Sequence, residues 1–186
     1  MGWYVIVGTI PIGVVGFVLR HVIEDHLRSL WVVAAALVLW SGVMVLAERR
    51  ARQDRGEKDL TMRDAVTVGV LQCIALVPGV SRSGATISTG LLLGLDRVTA
   101  TRLSFFLSIP ALLAAGVFEL PSAFGSDISL GQVLVGTVVS FVVAYATVAW
   151  LLRFVAGHSI VRFVPYRVGL GVLLLVLLGS GVMAAT

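Results

Sequence analysis

Charge is scarce in this chain. Only 13% of its 186 residues are charged and 58% are hydrophobic, where an average soluble domain carries about 25% charged residues. With a mean hydropathy of +1.02, this composition excludes an ordinary soluble domain and points to a polytopic membrane protein. Thiols are almost absent. Cys73 is the sole cysteine, so no intrachain disulfide or thiolate metal cluster can form, and Cys73 reads as a small packing residue. The net charge is +4, but the basic residues fall in a few short loops without interleaved aromatics. That distribution excludes a nucleic-acid groove and instead sets membrane orientation. No secretory cleavage pattern opens the sequence; Trp3 begins an apolar stretch almost at once.

Against this background one stretch stands out: Pro78-Gly79-Val80-Ser81-Arg82-Ser83-Gly84-Ala85-Thr86. It interrupts an apolar run from about 65 to 95, and no carboxylate lies inside that run to pair with Arg82. Pro78 lacks an N–H and pushes Val77 out of helical geometry, so a helix is predicted to end there. Gly79 allows a turn, and Ser81 or Ser83 can cap a second helix. The loop then gathers a guanidinium, three hydroxyls (Ser81, Ser83 and Thr86) and the positive end of a helix dipole. Those groups suit an anion, phosphate above all. Hydroxyls alone could simply satisfy carbonyls at a polar kink. An arginine at membrane depth argues for more, because it costs roughly 2.5–3.5 kcal/mol even on lenient insertion scales.

Apolar spans are predicted at 3–19, 30–47, 103–120, 131–152 and 164–178. Pro11 and the glycines of the first span read as packing features. Residues 20–29 read as a charge-balanced polar loop. Its His21, Glu24, Asp25 and His26 suit a solvated interface better than a metal site. The basic loops 48–64 and 153–167 are placed on the cytoplasmic side by the positive-inside rule, and 121–130 on the outside. Each arm of 65–95 has about 14–15 residues, roughly 22 Å at 1.5 Å per residue, short of a ~30 Å hydrocarbon core. Positive charge flanks both ends of that segment. The prediction is therefore a re-entrant hairpin with Ser81-Arg82-Ser83 near mid-depth, lining a wet cavity enclosed by protein. The fold class is all-α: a transmembrane helix bundle with a re-entrant helix-loop-helix hairpin.

Pro78-Gly79-Val80-Ser81-Arg82-Ser83-Gly84-Ala85-Thr86 resembles the second signature of the undecaprenyl-diphosphatases of the bacitracin-resistance type, Pro-Gly-x-Ser-Arg-Ser-x-x-Thr, at all seven fixed positions. The resemblance extends to the order of spans. It implies two inverted halves, each a re-entrant hairpin followed by three spans. Residues 65–178 match one complete half, and the upstream residues supply only two spans. The expectation is a chain like the carboxy-terminal two-thirds of such an enzyme, lacking one hairpin, one span and the family's Glu/Gln-x-x-x-Glu signature. Glu24 and Asp25 are adjacent rather than four apart.

The resemblance also implies an activity: hydrolysis of the C55 lipid carrier undecaprenyl diphosphate to the monophosphate and phosphate, at the outer face of a bacterial plasma membrane. In this reading Arg82 clamps phosphate oxygens. Ser81, Ser83, Thr86 and the backbone around Gly84 donate hydrogen bonds, and Pro78 and Gly79 set the loop geometry. Ser81 is also the one candidate nucleophile, though no base stands near it in sequence. A divalent cation, magnesium or calcium, is implied, with its ligands expected in the absent segment rather than here. The expected partners are a polyprenyl diphosphate and the membrane, with no nucleic acid; a homo-oligomer is compatible with the sequence. Of three rival readings, an acid-phosphatase-type lipid phosphatase is set aside, because it wants a histidine where Ser88 stands. A transporter or flippase would share the broken-helix chemistry. An inactive scaffold is the third, because the chain is expected to lack one hairpin and one span of that architecture.

Overall fold

A computed structural model describes residues 2–27, 29–124 and 129–183. Eight α-helices follow one another in these residues: α1 (Gly2–Val18), α2 (Arg20–His26), α3 (Leu30–Arg50), α4 (Met62–Leu71), α5 (Arg82–Leu92), α6 (Arg97–Phe124), α7 (Leu130–Gly157) and α8 (Val164–Gly179). Short 3-10 turns occupy Gln72–Leu76 and Ile160–Phe163, and no named strand occurs among the described residues. Four segments are long and apolar enough to cross a membrane: Leu30–Arg50, Arg97–Val117, Gly131–Gly157 and Ile160–Gly179. Gly2–Val18 is a shorter apolar helix. At 28 residues each, α6 and α7 are about 42 Å long, beyond a ~30 Å hydrocarbon core. They must tilt or project from it.

Two sequence expectations shift. The polar segment 20–29 is largely helical, as α2, and the side chains of Glu24, Asp25 and His26 lie outside the described residues. The segment expected as a basic loop, 153–167, is mostly helix as well. The carboxyl end of α7 runs on to Gly157, and a proline in the first turn starts α8 at Val164, because fixed φ and a missing N–H suit that position. Arg167 therefore belongs to a helix, not to a loop.

Packing follows small residues. Lipid tails are as apolar as leucine, so helices in a membrane associate through close van der Waals fit rather than hydrophobic exclusion. The backbones of α1 and α4 meet at Gly8 and Gly69, where a Cβ on Gly69 would overlap the Gly8 carbonyl. Buried Gln72 donates from Nε2 to that same carbonyl at 3.0 Å. Gly90 of α5 nests on Ala100 of α6, and Gly171 of α8 sits against Ala34 and Val38 of α3. The main buried cluster joins Leu91, Leu95, Leu103 and Leu107 with Met44, Ile87 and Val155. By contrast α7 turns Val138, Phe141, Val142 and Tyr145 outward, the surface a lipid-facing helix presents.

The hairpin formed by α4 and α5 begins and ends at one loop. Arg55 N–H donates to the Gly94 carbonyl (3.1 Å), and Asp96 N–H donates to the Arg55 carbonyl (2.9 Å). The Arg55 guanidinium forks onto the Asp64 carboxylate (3.0 and 2.6 Å) and also reaches the Leu93 and Asp59 carbonyls. Asp64 in turn accepts from Thr61, closing a capping box on α4. With 11 residues, α5 is about 16 Å long, too short to cross.

Burial alone would raise the Asp64 carboxyl. The hydrogen bonds from Arg55 and Thr61 outweigh it and hold Asp64 below the usual carboxylate value. A carboxyl whose folded pKa is depressed contributes stability that is fully present above its unfolded value, about 3.9, and is lost as pH falls through the folded value. Acidification below about pH 4 is therefore expected to loosen the hairpin base, with little change between pH 6 and 8. Asp64→Asn should cost about 1.5–3 kcal/mol at neutral pH, as for a hydrogen bond to a charged group, and should flatten the acid limb. Unfolding in mixed micelles from pH 3 to 8 checks both; an unchanged acid limb in the variant would remove Asp64 from this role.

A candidate anion-binding site at the hairpin tip

The tip is built by backbone constraint. Val77 is extended, as the following proline requires, and it ends the 3-10 turn. Gly79 has φ +96, and a Cβ there would overlap the Val33 carbonyl of α3 and press on Ala36. Gly79→Ala therefore adds a wrong-handed backbone, about 1–2 kcal/mol, to overpacking of about 1–3 kcal/mol. The variant should melt earlier by that combined amount and lose the tip structure. A thermal scan of wild type against Gly79→Ala checks it, and equal stability would mean that the tip does not pack on α3.

Ser81 is a second strained residue, at φ 73 and ψ 119. Non-glycine residues in such regions cost about 1–3 kcal/mol and persist only when their surroundings fix them. Here the fixing contacts are visible. The Val80 N–H closes a turn on the Val77 carbonyl (3.2 Å), and Ser81 Oγ accepts from the Gly84 N–H (3.3 Å) as the cap of α5. The strain leaves Ser81 Oγ 3.2 Å from Ser83 Oγ, both at the helix amino terminus.

The group that holds the tip from outside comes from α8. Arg167 Nη2 donates to the Gly79 carbonyl (2.8 Å) and to the Val80 carbonyl (3.1 Å). Its Nε lies 3.4 Å from Ser41 Oγ, and Ser41 spends its own proton on the Leu37 carbonyl (2.7 Å). Sequence reasoning missed Arg167. The signal was present: it is a cation three residues inside an apolar run, the same anomaly that singled out Arg82.

Ser81, Ser83, Gly84 and Arg167 share one cavity of about 350 Å³. Its polar end is this quartet. Met44 and Ile87 form one apolar wall, Thr147, Trp150 and Leu151 of α7 another, and Phe163 and Tyr166 lie towards the start of α8. No carboxylate lines it among the described residues. The cavity thus offers one guanidinium, two hydroxyls and a helix amino terminus at one end of an otherwise apolar cleft. That is an arrangement for the anionic head of an amphiphile.

The other predicted site residues sit differently. Thr86 is buried and donates to Ser104 Oγ of α6 (2.6 Å), with the Arg82 carbonyl 2.9 Å away. It ties α5 to α6 and does not line the cavity. Arg82 occupies the first turn of α5, half-buried, with no hydrogen-bond or ion-pair partner among the described residues, and it too is not a lining residue. Pro78 follows the extended Val77, and Gly79 takes the positive φ at the turn. Among the described residues no group of three or more His, Cys, Asp or Glu could hold a metal ion.

A family model described as "Bacitracin resistance protein BacA" matches residues 1–173. The chain is 58% identical over 186 residues to an undecaprenyl-diphosphatase of Acidothermus cellulolyticus, covering all of this chain and 67% of the relative. It is 55% identical over 189 residues to undecaprenyl-diphosphatase 1 of Corynebacterium jeikeium, again over all of this chain and 67% of the relative. For an undecaprenyl-diphosphatase of Mycolicibacterium smegmatis the values are 54%, 100% and 69%. The chain spans about two thirds of the length of these relatives.

Proposed function

The chain belongs to the bacitracin resistance protein BacA family, and on that footing we propose that it is a membrane hydrolase of undecaprenyl diphosphate. The observation that carries the reading is the cavity: an apolar cleft walled by α7 and α8 that ends at Ser81, Ser83 and Arg167. A prenyl tail can lie along Trp150, Leu151 and Tyr166 while the diphosphate meets the hydroxyls, the guanidinium and the free N–H groups of α5.

The reaction adds water across the phosphoric anhydride. A water oxygen bonds to the terminal phosphorus, the bond from that phosphorus to the bridging oxygen breaks, and the bridging oxygen leaves on the prenyl monophosphate. Phosphoryl transfer of this kind needs chiefly positioning and charge stabilisation. Ser81 and Ser83 donate to the phosphate oxygens, and Arg167 fixes the loop and adds positive charge. Arg82, which has no side-chain partner among the described residues, swings to the terminal phosphate and strengthens its contact as charge develops. Ser81 acts as a donor rather than a nucleophile in this proposal, since no histidine or carboxylate among the described residues lines the cavity to take its proton. The implied magnesium or calcium has no ligand set among the described residues, and no step here runs through it.

The proposed setting is a bacterial plasma membrane. Loop 48–64 faces the cytoplasm, and the α4–α5 hairpin enters and leaves on that side. Closure of the hairpin base on Arg55 supports this topology.

The chain is to be reconstituted in vesicles with a polyprenyl diphosphate and magnesium or calcium, and phosphate release followed. Release above protein-free vesicles is the expected result. Movement of the lipid between leaflets without phosphate release would favour the transporter reading. Neither activity from a chain shown to be folded would favour the scaffold.

A further inference from the structure

We propose a second lipid site on this protein: a cleft for the headgroup of one singly charged anionic phospholipid, at the base of the hairpin. A cavity of about 340 Å³ lies between Arg50 at the end of α3, Arg52 and Asp54 of the following loop, and Leu92–Gly94 at the end of α5. Its volume is in the range of small-ligand clefts, about 300–1,000 Å³. Arg50 and Arg52 are exposed, and neither has an ion-pair partner among the described residues. Arg55, on the same wall, is already committed to Asp64.

The surroundings match a lipid in two respects. Exposed Leu39 and Leu46 of α3 form a stripe with Gly42 that runs down one helix face to Arg50, and exposed Leu92 stands across the cleft. Acyl chains can follow that stripe while the phosphate reaches the guanidiniums at the level where the span ends. Asp54 is the one carboxylate in the lining among the described residues. It leaves the cleft with a small net positive charge. A single headgroup charge is matched, whereas the guanidiniums repel the ammonium of a zwitterionic headgroup. The occupant is therefore a phospholipid of the leaflet on the side of the basic loop, distinct from the substrate proposed for the hairpin tip.

Spin-labelled phosphatidylglycerol and phosphatidylcholine, added to the chain in phosphatidylcholine bilayers, read the site directly. The motionally restricted fraction should favour phosphatidylglycerol several-fold, a surface arginine contributing about fivefold. In the double variant Arg50→Gln/Arg52→Gln the preference should fall close to unity. Arg153→Gln, an exposed arginine outside the cleft, should leave it unchanged. Both substitutions are of exposed side chains, so folding is retained. The proposal is overturned if the double variant keeps the preference, or if Arg153→Gln lowers it equally, which would mean diffuse surface charge. It is also overturned if inorganic phosphate at constant ionic strength abolishes the preference, which would mean a site for free anions.

Discussion

Arg167→Ala is expected to weaken binding of a polyprenyl diphosphate by about 10²-fold. The effect has two sources. The guanidinium is the only cation among the described residues that line the cavity, and hydrogen bonds to charged groups contribute about 1.5–3 kcal/mol each. It also satisfies the carbonyls of Gly79 and Val80, so its removal leaves the strained tip unsupported at Ser81. Arg167→Lys separates the two. A lysine keeps the charge but lacks the planar fork that reaches two carbonyls and Ser41 at once, so partial recovery of binding is expected. Titration with the diphosphate and, in parallel, with the uncharged prenol is the check, because only the diphosphate should respond. Equal loss for both ligands would mean that Arg167 merely supports the fold.

Arg82→Ala is expected to lower phosphate release by about 10²-fold or more, the usual effect of deleting one charge-stabilising donor, with a smaller effect on binding. The reasoning differs from that for Arg167. Arg82 is a half-buried cation in the first turn of α5 with no side-chain partner among the described residues, and it does not line the cavity, so it contributes little to holding the ground state. Its contribution comes when charge develops on the departing phosphate. A variant that keeps most of its turnover would remove Arg82 from the reaction.

Local chemistry was legible in the residues. Pro78 marks the break at Val77 and Gly79 takes the left-handed turn, because each follows from one residue's own backbone limits; the cap of α5 was narrowed only to Ser81 or Ser83, and Ser81 takes it. The all-α membrane architecture followed from apolar runs and their lengths. What connects distant elements was not legible. Arg167 meets the tip from 88 positions away along the chain, and Thr86 bonds to Ser104 and does not line the cavity. A hydroxyl within a motif carries no mark of the side of its helix that another helix will cover. The Arg55–Asp64 closure of the hairpin base was hidden likewise, since both residues look like ordinary members of a charged loop.

The most direct test is a polyprenyl diphosphate analogue carrying a diazirine in its first isoprene units, photolysed with the reconstituted chain and mapped by mass spectrometry. The account predicts adducts on the α7–α8 wall, at Trp150, Leu151 or Tyr166, that disappear when Arg167→Ala is used. Adducts concentrated instead on Gly13, Pro110 or Ala114, in a separate cleft between α1 and α6, and indifferent to Arg167, would contradict it.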